Sequence, residues 1–266
     1  MFDSIAGDYD ALNHILSLDV DKIWRKKALK QIVDAPAPVQ VLDLACGTGD
    51  FSIAIAKALS RSHKRVGTPI EAHVKAPAKV PVEAQVTSTG FVTGDSGRSD
   101  LMTKGHVTGV DLSEGMLAVM REKVAKAGLT EMISIEEGDG ENLRFPDNTF
   151  DRVTIAFGIR NFENREKGLR EMLRVLKPGG RLVILELSRP ENKIIRWFYD
   201  LYFLHILPKV GGKVSGDKAA YAYLPASVAA FPSKKAFMAT MREAGFRAVT
   251  HKAFTLGICR MYTGEK

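Results

Sequence analysis

The stretch that decides the fold is Val41-Leu42-Asp43-Leu44-Ala45-Cys46-Gly47-Thr48-Gly49-Asp50-Phe51-Ser52. It begins with a short, mostly apolar run, which is typical of a buried strand. Gly47 and Gly49 then predict a tight turn, and the apolar residues from Phe51 to about Leu59 recur at helical spacing. Because glycine lacks a Cβ and a helix begins with unpaired amides, such a turn lets a small polar ligand approach the backbone. The stretch therefore predicts a strand, a ligand-binding turn and a helix.

The length and composition fit one large α/β domain or two small ones, and they argue against a disulfide-rich or membrane-spanning chain. The 266 residues, of which 45% are hydrophobic, suffice for an extended core. The two cysteines, Cys46 and Cys259, are too few for a disulfide framework and lack metal-ligand spacing, so we expect a cytoplasmic protein without a metal site. The most apolar segment, 197–210, is interrupted by polar residues and is too short to span a bilayer.

The positive charge of the chain permits an anionic partner but does not identify one. The formal net charge is +7, and the basic residues are spread from Lys22 to Lys266. No basic stripe is interleaved with aromatic residues as in a nucleic-acid groove. We therefore expect no nucleic-acid partner and interpret the charge as a solvated surface, with peripheral contact at the cytoplasmic face of a membrane left open.

Strands and helices alternate along most of the chain. Beyond the glycine turn, apolar runs and caps predict strands at 106–111, 133–139, 150–157 and 181–187, helices at 113–127, 166–176 and 233–244, and two final strands. The alternation predicts a parallel sheet with ligand loops at the carboxyl ends of its strands.

Three segments fall outside this alternation. Residues 1–35 are predicted to be an N-terminal helical cover that includes Tyr9 and Asp10, and residues 192–232 a second helical cover. Residues 60–105 are rich in proline, glycine, serine and threonine, and they offer few apolar groups to offset the entropy of ordering. We therefore expect 60–105 to be a flexible insertion.

Acidic residues end the second and third predicted strands. Asp111 can accept both hydroxyls of a ribose, with a plain helix N-terminal charge as the alternative. Asp139 can accept from the amino group of an adenine, and Gly140 lets a ring approach closely, with an Asx turn as the alternative. The third glycine of the dinucleotide fingerprint is Ser52 here, which favours an adenosyl amino acid over a pyrophosphate.

These sites at three successive strand ends resemble those of class I S-adenosylmethionine-dependent methyltransferases. Further motifs are similar to those of the ubiquinone/menaquinone biosynthesis C-methyltransferases, and together they cover nearly the whole chain outside 60–104. They are residues 2–13 with Leu16-Ser17 and Trp24, 145–151, Phe157-Gly158-Ile159-Arg160-Asn161, 174–180 with 186–190, 199–208, and Tyr221-x-Tyr223-Leu224. The chain departs from the family in its insertion, in Asp21 where many members have His or Ser, and in starting at a Met-Phe pair that members usually precede with further residues.

The resemblance implies a Rossmann-like α/β fold, with a mostly parallel seven-stranded sheet, helices on both faces and a single methyltransferase domain over 1–266. It also implies methyl transfer from S-adenosylmethionine to a ring carbon of a polyprenylated quinol, and we expect demethylmenaquinol as the substrate. The benzoquinol precursor of ubiquinone, methylation of RNA or another small molecule, and a non-catalytic cofactor-binding scaffold are the alternatives. A homodimer is left open.

The resemblance also assigns roles to residues. The cofactor-binding residues are predicted to be Asp43, Gly47, Thr48, Gly49, Asp111, Asp139 and Gly140. Arg160 is expected to stabilise the developing quinolate and Asn161 to orient the ring hydroxyl, with a structural salt bridge of Arg160 as the alternative. Segment 192–232 is taken as the substrate-side cover. It contains the cluster Trp197-Phe198-Tyr199, Tyr202-Phe203 and Leu204, which is expected to line a channel for the isoprenoid tail, to touch the bilayer, or to pack in a core.

Overall fold

The structure is a computed structural model that describes residues 20–34, 39–66, 105–202 and 218–266. Three predicted features lie outside the described residues: segment 1–19 of the N-terminal cover with Tyr9 and Asp10, segment 67–104 of the insertion, and segment 203–217 of the second cover.

The described residues form one seven-stranded sheet with the order β3-β2-β1-β4-β5-β7-β6. Strands β1 to β5 pair in parallel, whereas β7 runs antiparallel between β5 and β6. The mostly parallel seven-stranded sheet expected from the sequence is therefore confirmed. The strands are β1 (Gln40–Leu44), β2 (His106–Asp111), β3 (Ile133–Glu137), β4 (Phe150–Ala156), β5 (Leu176–Leu187), β6 (Arg247–Phe254) and β7 (Cys259–Glu265).

Helices cover both faces of the sheet. They are α1 (Val20–Ile32), α2 (Asp50–Val66), α3 (Glu114–Lys126), α4 (Arg165–Val175), α5 (Lys193–Leu201), α6 (Lys218–Ala230) and α7 (Lys234–Glu243). Helices α1, α2 and α3 share one apolar core with one face of the sheet, and α4 and α7 share the other. Burial of apolar area on both faces explains why the strands read as nearly continuous apolar runs.

Polar side chains determine where several helices begin. Ser113 caps α3 by accepting a hydrogen bond from the Met116 amide at 3.3 Å, as the sequence predicts. Asn192 caps α5 through the amides of Ile194 and Ile195. These caps fix the first turns of helices that follow the carboxyl ends of strands, which is the edge where the sequence places the ligand loops.

Two element boundaries differ from the predicted ones by more than three residues. Helix α2 continues to Val66, seven residues beyond the predicted end at about Leu59 and into the segment predicted to be an insertion. Strand β5 begins at Leu176 rather than at Arg181, because Leu176 already pairs with Phe150 before the register shifts. A proline and two glycines suggested a turn at 177–180, and the structure accommodates them within this irregular start of the strand.

A search of the described ranges for a bilayer-spanning helix finds none that is both long enough and apolar enough.

Candidate active site

A cavity of about 490 Å³ opens at the carboxyl edge of the sheet, where β1, β4 and β5 end. One side of it is polar and contains the glycine turn after β1 and the start of α1. Another part of the lining is apolar and comes from the end of β5, from α5 and α6, and from the segment between β6 and β7. The polar side includes Asp21, Arg25, Asp43, Gly47, Thr48 and Asp50, and the apolar side includes Leu187, Ile195, Phe198, Tyr199, Tyr202, Leu224, Leu256 and Ile258.

The glycine turn has the left-handed backbone that its sequence predicts. Gly47 and Gly49 have φ values of 55° and 83°, and Ala45 before them has 49°. A Cβ added at Gly49 would lie 2.4 Å from Cγ of Met120, so helix α3 packs directly against the turn. A Cβ added at Gly158, in the loop after β4, would lie 2.4 Å from that of Ala45. The two glycine-containing motifs are therefore in contact across the sheet.

Asp43 lies in the polar wall of the cavity and is 1% exposed. Its Oδ2 accepts a hydrogen bond of 2.5 Å from the Ser52 hydroxyl. Burial raises the pKa of the Asp43 carboxyl to about 7, against the opposing effects of the Ser52 hydrogen bond and the Arg25 charge. A carboxyl group with this pKa favours a cationic ligand, because a nearby positive charge stabilises its ionised form.

Two residues of the turn between β1 and α2, Cys46 and Thr48, have internal partners. Burial raises the pKa of the Cys46 thiol well above its usual value, and its sulfur lies 3.5 Å from that of Met120. The Thr48 hydroxyl accepts a hydrogen bond of 3.3 Å from Nζ of Lys123 and borders the cavity. Cys46 therefore acts as a packing residue, whereas Thr48 presents a polar group to the cavity.

Asp111 connects the turn to the start of α3. Its Oδ2 accepts from the Gly47 amide at 2.8 Å, and its Oδ1 accepts from the Ser113 amide at 2.9 Å. Asp111 is not one of the described residues that line the large cavity. It lies beside the turn rather than in the cavity wall.

Asp139 and Gly140 lie outside the described lining of the cavity, at the end of β3. The exposed Asp139 accepts the Glu141 amide at 2.8 Å, which is the Asx turn named as the alternative. A Cβ at Gly140 would lie 2.6 Å from Cζ of Phe162, so the missing side chain makes room for that ring. Asp139 also borders a small separate hollow with Asn142. The adenine-binding role of this pair stays a prediction.

Arg160 follows β4 in the short 3-10 helix Ile159–Asn161 and borders the cavity. Its guanidinium donates to Oε1 of Glu186 at 2.9 Å, to the Phe157 carbonyl, and to the Ser227 hydroxyl at 3.3 Å. Glu186 is fully buried, so this ion pair lies in the protein interior. The structure thus contains the structural salt bridge that was expected as the alternative role of Arg160. Arg160 nevertheless also lines the cavity.

Asn161 is oriented by a residue of α6. Its Oδ1 accepts a hydrogen bond of 2.9 Å from the Tyr223 hydroxyl. Sequence reasoning missed this partner and missed Glu186, although both lie within motifs that it had recognised. An acid near the end of an apolar strand, as at Glu186, was the available signal, since a buried carboxylate requires a partner.

Helix α1 closes one side of the cavity, and its contribution was also missed. The Trp24 indole donates to the Thr255 hydroxyl at 2.9 Å, and its ring centroid lies 6.2 Å from that of Phe157. Thr255, Leu256 and Phe157 all have positive φ values, which are strained for residues with a Cβ. Two separate segments with strained backbone, one at Phe157 and one at 255–256, thus lie against α1 at the mouth of the cavity.

The strand order, the glycine turn after β1 and the cavity at the carboxyl edge define a Rossmann-like methyltransferase. A solved S-adenosylmethionine-dependent methyltransferase from Aquifex aeolicus has the same fold, with a TM-score of 0.53 and 20% identity, covering 90% of this chain and 88% of that one. The model of the ubiE/COQ5 methyltransferase family matches residues 1–266, and the chain belongs to this family.

Two relatives illustrate the relationship. The chain is 42% identical to the ubiquinone/menaquinone biosynthesis C-methyltransferase UbiE of Geobacter sulfurreducens, over all of this chain and 87% of that protein. It is 39% identical to the demethylmenaquinone methyltransferase of Bacteroides fragilis, over all of this chain and 91% of that protein. The resemblance deduced from the motifs is therefore confirmed.

Proposed function

We propose that this methyltransferase transfers a methyl group from S-adenosylmethionine to a ring carbon of a polyprenylated quinol, with demethylmenaquinol as the principal substrate. The observation that carries the proposal is the mixed lining of the cavity, which combines the glycine turn and several carboxylates with aliphatic and aromatic side chains. The names of the relatives give the reaction class, and the two sides of the cavity suit the two different molecules that it requires.

The polar side of the cavity suits S-adenosylmethionine. Asp21, Asp43 and Asp50 face a ligand whose sulfonium and ammonium groups are both cationic, and the left-handed turn at 47–49 offers close backbone approach. Asp43, Gly47, Thr48 and Gly49 would hold its methionine end, Asp111 its ribose, and Asp139 with Gly140 its adenine. Bound there, it supplies a methyl group on a positively charged sulfur, which is an electrophile.

The apolar side of the cavity suits the quinol ring and the start of its tail. Leu187, Tyr199 and Leu224 come from three different elements and form one continuous wall. Burial raises the pKa of the Tyr199 phenol, which keeps it protonated near neutral pH. A protonated phenol in an apolar wall is suited to hydrogen bonding and packing rather than to accepting a proton.

Arg160 and Asn161 act on the quinol oxygen in this proposal. The ring hydroxyl loses its proton to water, and negative charge then spreads from the oxygen to the ring carbon. That carbon takes the methyl group as the bond between sulfur and methyl breaks, and it then releases its own hydrogen to water as a second proton. The Arg160 guanidinium stays protonated, so it stabilises that charge and does not serve as the base. Asn161, held by Tyr223, orients the hydroxyl. Fixed positions of both groups reduce the entropy cost of aligning donor and acceptor.

The exposed face of α5 is the proposed contact with a lipid surface. Ile194, Trp197 and Phe198 are 70%, 60% and 60% exposed, and with Leu201 they follow helical i, i+3, i+4, i+7 spacing. Phe198 also lines the cavity, so the apolar surface is continuous from the cavity to the exterior. This continuity favours a membrane that supplies a lipid-like substrate over a second copy of the chain.

Vesicle sedimentation tests this surface. Trp197→Asp should reduce binding to vesicles that contain anionic lipid and leave the melting temperature unchanged, since Trp197 is largely exposed. Lys235→Gln, on the exposed surface of α7, lowers the net charge by the same one unit away from α5 and is the control. If Trp197→Asp instead abolished a dimer in size-exclusion chromatography while vesicle binding was unchanged, the face would be a self-association surface.

Methyl transfer is tested by incubating the protein and S-adenosylmethionine with reduced demethylmenaquinol and, separately, with the demethylated benzoquinol precursor of ubiquinone. We expect the first to gain one ring methyl group by mass spectrometry. Faster turnover of the benzoquinol would reverse the substrate assignment. Failure of both quinols in a protein that binds S-adenosylhomocysteine would refute the proposed substrate class.

A further inference from the structure

Arg25 is a cavity residue to which the motifs assign no role. It lies on α1, its side chain is 17% exposed, and it borders the cavity beside the glycine turn. Its Nη1 lies 3.3 Å from Oδ2 of Asp50, and its Nη2 lies 3.5 Å from Oδ2 of Asp21. Within the described part of the chain, the buried Nε of Arg25 has no hydrogen-bond partner. The guanidinium is therefore incompletely satisfied at the cavity wall.

The charges around Arg25 differ from those around the other arginine of the cavity. Arg160 donates to the fully buried Glu186 and to a backbone carbonyl. Arg25 instead has two long contacts to carboxylates at the cavity wall, and its Cζ lies 5.8 Å from the centroid of the Phe157 ring. Long contacts of this kind are exchanged for a ligand at lower cost than a short, buried ion pair.

The position of Arg25 is fixed by its neighbour on α1. Trp24 is buried, donates to Thr255 and packs near Phe157. These contacts hold this turn of α1 against the segment between β6 and β7 and against the end of β4. Arg25 is thereby presented to the cavity on the same side as Asp43 and the glycine turn.

We propose that Arg25 binds the carboxylate of the amino-acid end of the methyl donor and makes the site select ligands that carry this carboxylate. The inference rests on the proposed function, because it concerns the same ligand. The polar wall then has one complementary group for each charge of that end: aspartates for the cationic groups and the guanidinium for the carboxylate. The planar guanidinium of arginine binds a carboxylate better than the ammonium group of lysine does, because the guanidinium donates two parallel hydrogen bonds.

The test measures binding of S-adenosylhomocysteine and of its decarboxylated analogue by calorimetry, without a quinol. The wild-type protein should bind S-adenosylhomocysteine at least tenfold more tightly than the analogue. Arg25→Met should weaken the binding of S-adenosylhomocysteine by about 10- to 100-fold, because charge-assisted hydrogen bonds have this magnitude. The affinity for the analogue should stay unchanged. Arg25→Lys should retain part of the preference, since it keeps the charge without the planar fork.

Arg181→Met is the matched control. Arg181 is also partly buried, pairs with Glu265 at 3.0 Å and contacts Gln31 of the same helix, but it lies away from the cavity lining. This variant should bind both ligands as the wild type does.

Equal weakening of both ligands by Arg25→Met, or no weakening of either, would overturn the inference, because a purely structural arginine does not distinguish them. If Arg25→Met lowers the melting temperature strongly, the affinities for the two ligands are compared in Arg25→Lys instead. A wild-type protein that bound neither ligand would refute the proposed cofactor itself, so the two failures are distinguishable.

Discussion

The buried carboxylate of Glu186 holds Arg160 at two points. Its Oε2 accepts the Arg160 backbone amide at 3.1 Å, and its Oε1 accepts the guanidinium at 2.9 Å. One side chain at the end of β5 thus fixes both the backbone and the side chain of the loop that follows β4. The position of Arg160 at the cavity wall depends on this pair.

Loss of the Glu186 carboxylate should destabilise the protein strongly. Glu186→Ala leaves a buried guanidinium without its counter-ion, which costs about 3–5 kcal/mol. Glu265→Ala removes a carboxylate from the partly exposed pair with Arg181 on the same sheet and should cost about 1 kcal/mol or less. Urea denaturation of both variants measures the difference, and similar midpoints for the two would contradict the structural role of Glu186.

Arg160→Ala should reduce methyl transfer while leaving cofactor binding intact. Removal of one group that stabilises developing negative charge lowers turnover by about 100-fold or more. Binding of S-adenosylhomocysteine should change little, because Arg160 is assigned to the quinol. Since the single variant leaves Glu186 unpaired, the double variant Arg160→Ala with Glu186→Ala should recover stability but not turnover. Unchanged turnover in Arg160→Ala would show that the arginine is only structural.

Asp43 should make the stability of the protein depend on pH. Its folded pKa of about 7 lies above the reference value of 3.8, so the folded protein retains a proton that the unfolded chain loses. The contribution of Asp43 therefore becomes less favourable as pH rises from about 4 to about 7, by about 1.4 kcal/mol per pH unit. Asp43→Asn should remove this slope, so its stability relative to the wild type should be higher at pH 8 than at pH 5. Equal differences at both pH values would contradict the raised pKa.

The same carboxyl group should couple cofactor binding to proton release. A cationic ligand beside Asp43 favours the ionised form, so binding at pH 6 should expel a proton. Calorimetric titration with S-adenosylmethionine in buffers of different ionisation enthalpy measures that proton, and Asp43→Asn should release fewer protons than the wild type. Identical proton release in the two proteins would place the cationic group elsewhere.

Gly49→Ala should lower the melting temperature by more than the backbone strain alone explains. A residue with a Cβ at positive φ costs about 1–2 kcal/mol, and here the Cβ would also meet Met120 at 2.4 Å. Gly179→Ala is the matched control, because Gly179 has a φ of 75° and no atom within 4 Å of the added Cβ. The difference between the two losses of melting temperature measures the packing of α3 against the turn, and no difference would mean that Met120 moves freely aside.

Leu256→Gly should raise stability and lower activity. Leu256 is 73% exposed at the cavity mouth and has a φ of 57°, so glycine relieves strain at little loss of burial. Glycine also makes the unfolded chain more flexible, which costs stability. With this entropy cost included, the free energy of unfolding should rise by about 0.5–1 kcal/mol. Turnover of a long-tailed quinol should fall because an apolar contact at the mouth is lost. Ala248→Gly, at a φ of 46° on β6, should stabilise similarly without affecting turnover, and a lower melting temperature for Leu256→Gly would contradict the strain argument.

Much of the fold could be predicted because local patterns record burial and turns. The run at 41–44, the glycines after it and the cap at Ser113 each depend on a few neighbouring residues, and the structure contains all of them. The start of β5 was less predictable, since its pairing with Phe150 depends on a strand far away in sequence. Cofactor roles for Asp139 and Gly140 stay predictions, because the Asx turn and the Phe162 contact also explain those residue types.

The sequence by itself determined the family, the alternation that builds the sheet, and the glycine turn, because these depend on residue types at fixed local spacing. Only the tertiary structure decided which distant residues meet. It paired Arg160 with Glu186, joined Asn161 to Tyr223, and brought Arg25 from α1 to the glycine turn after β1. The physical reason is that parallel strands distant in the chain end at one edge of the sheet, where burial forces their polar side chains to find partners.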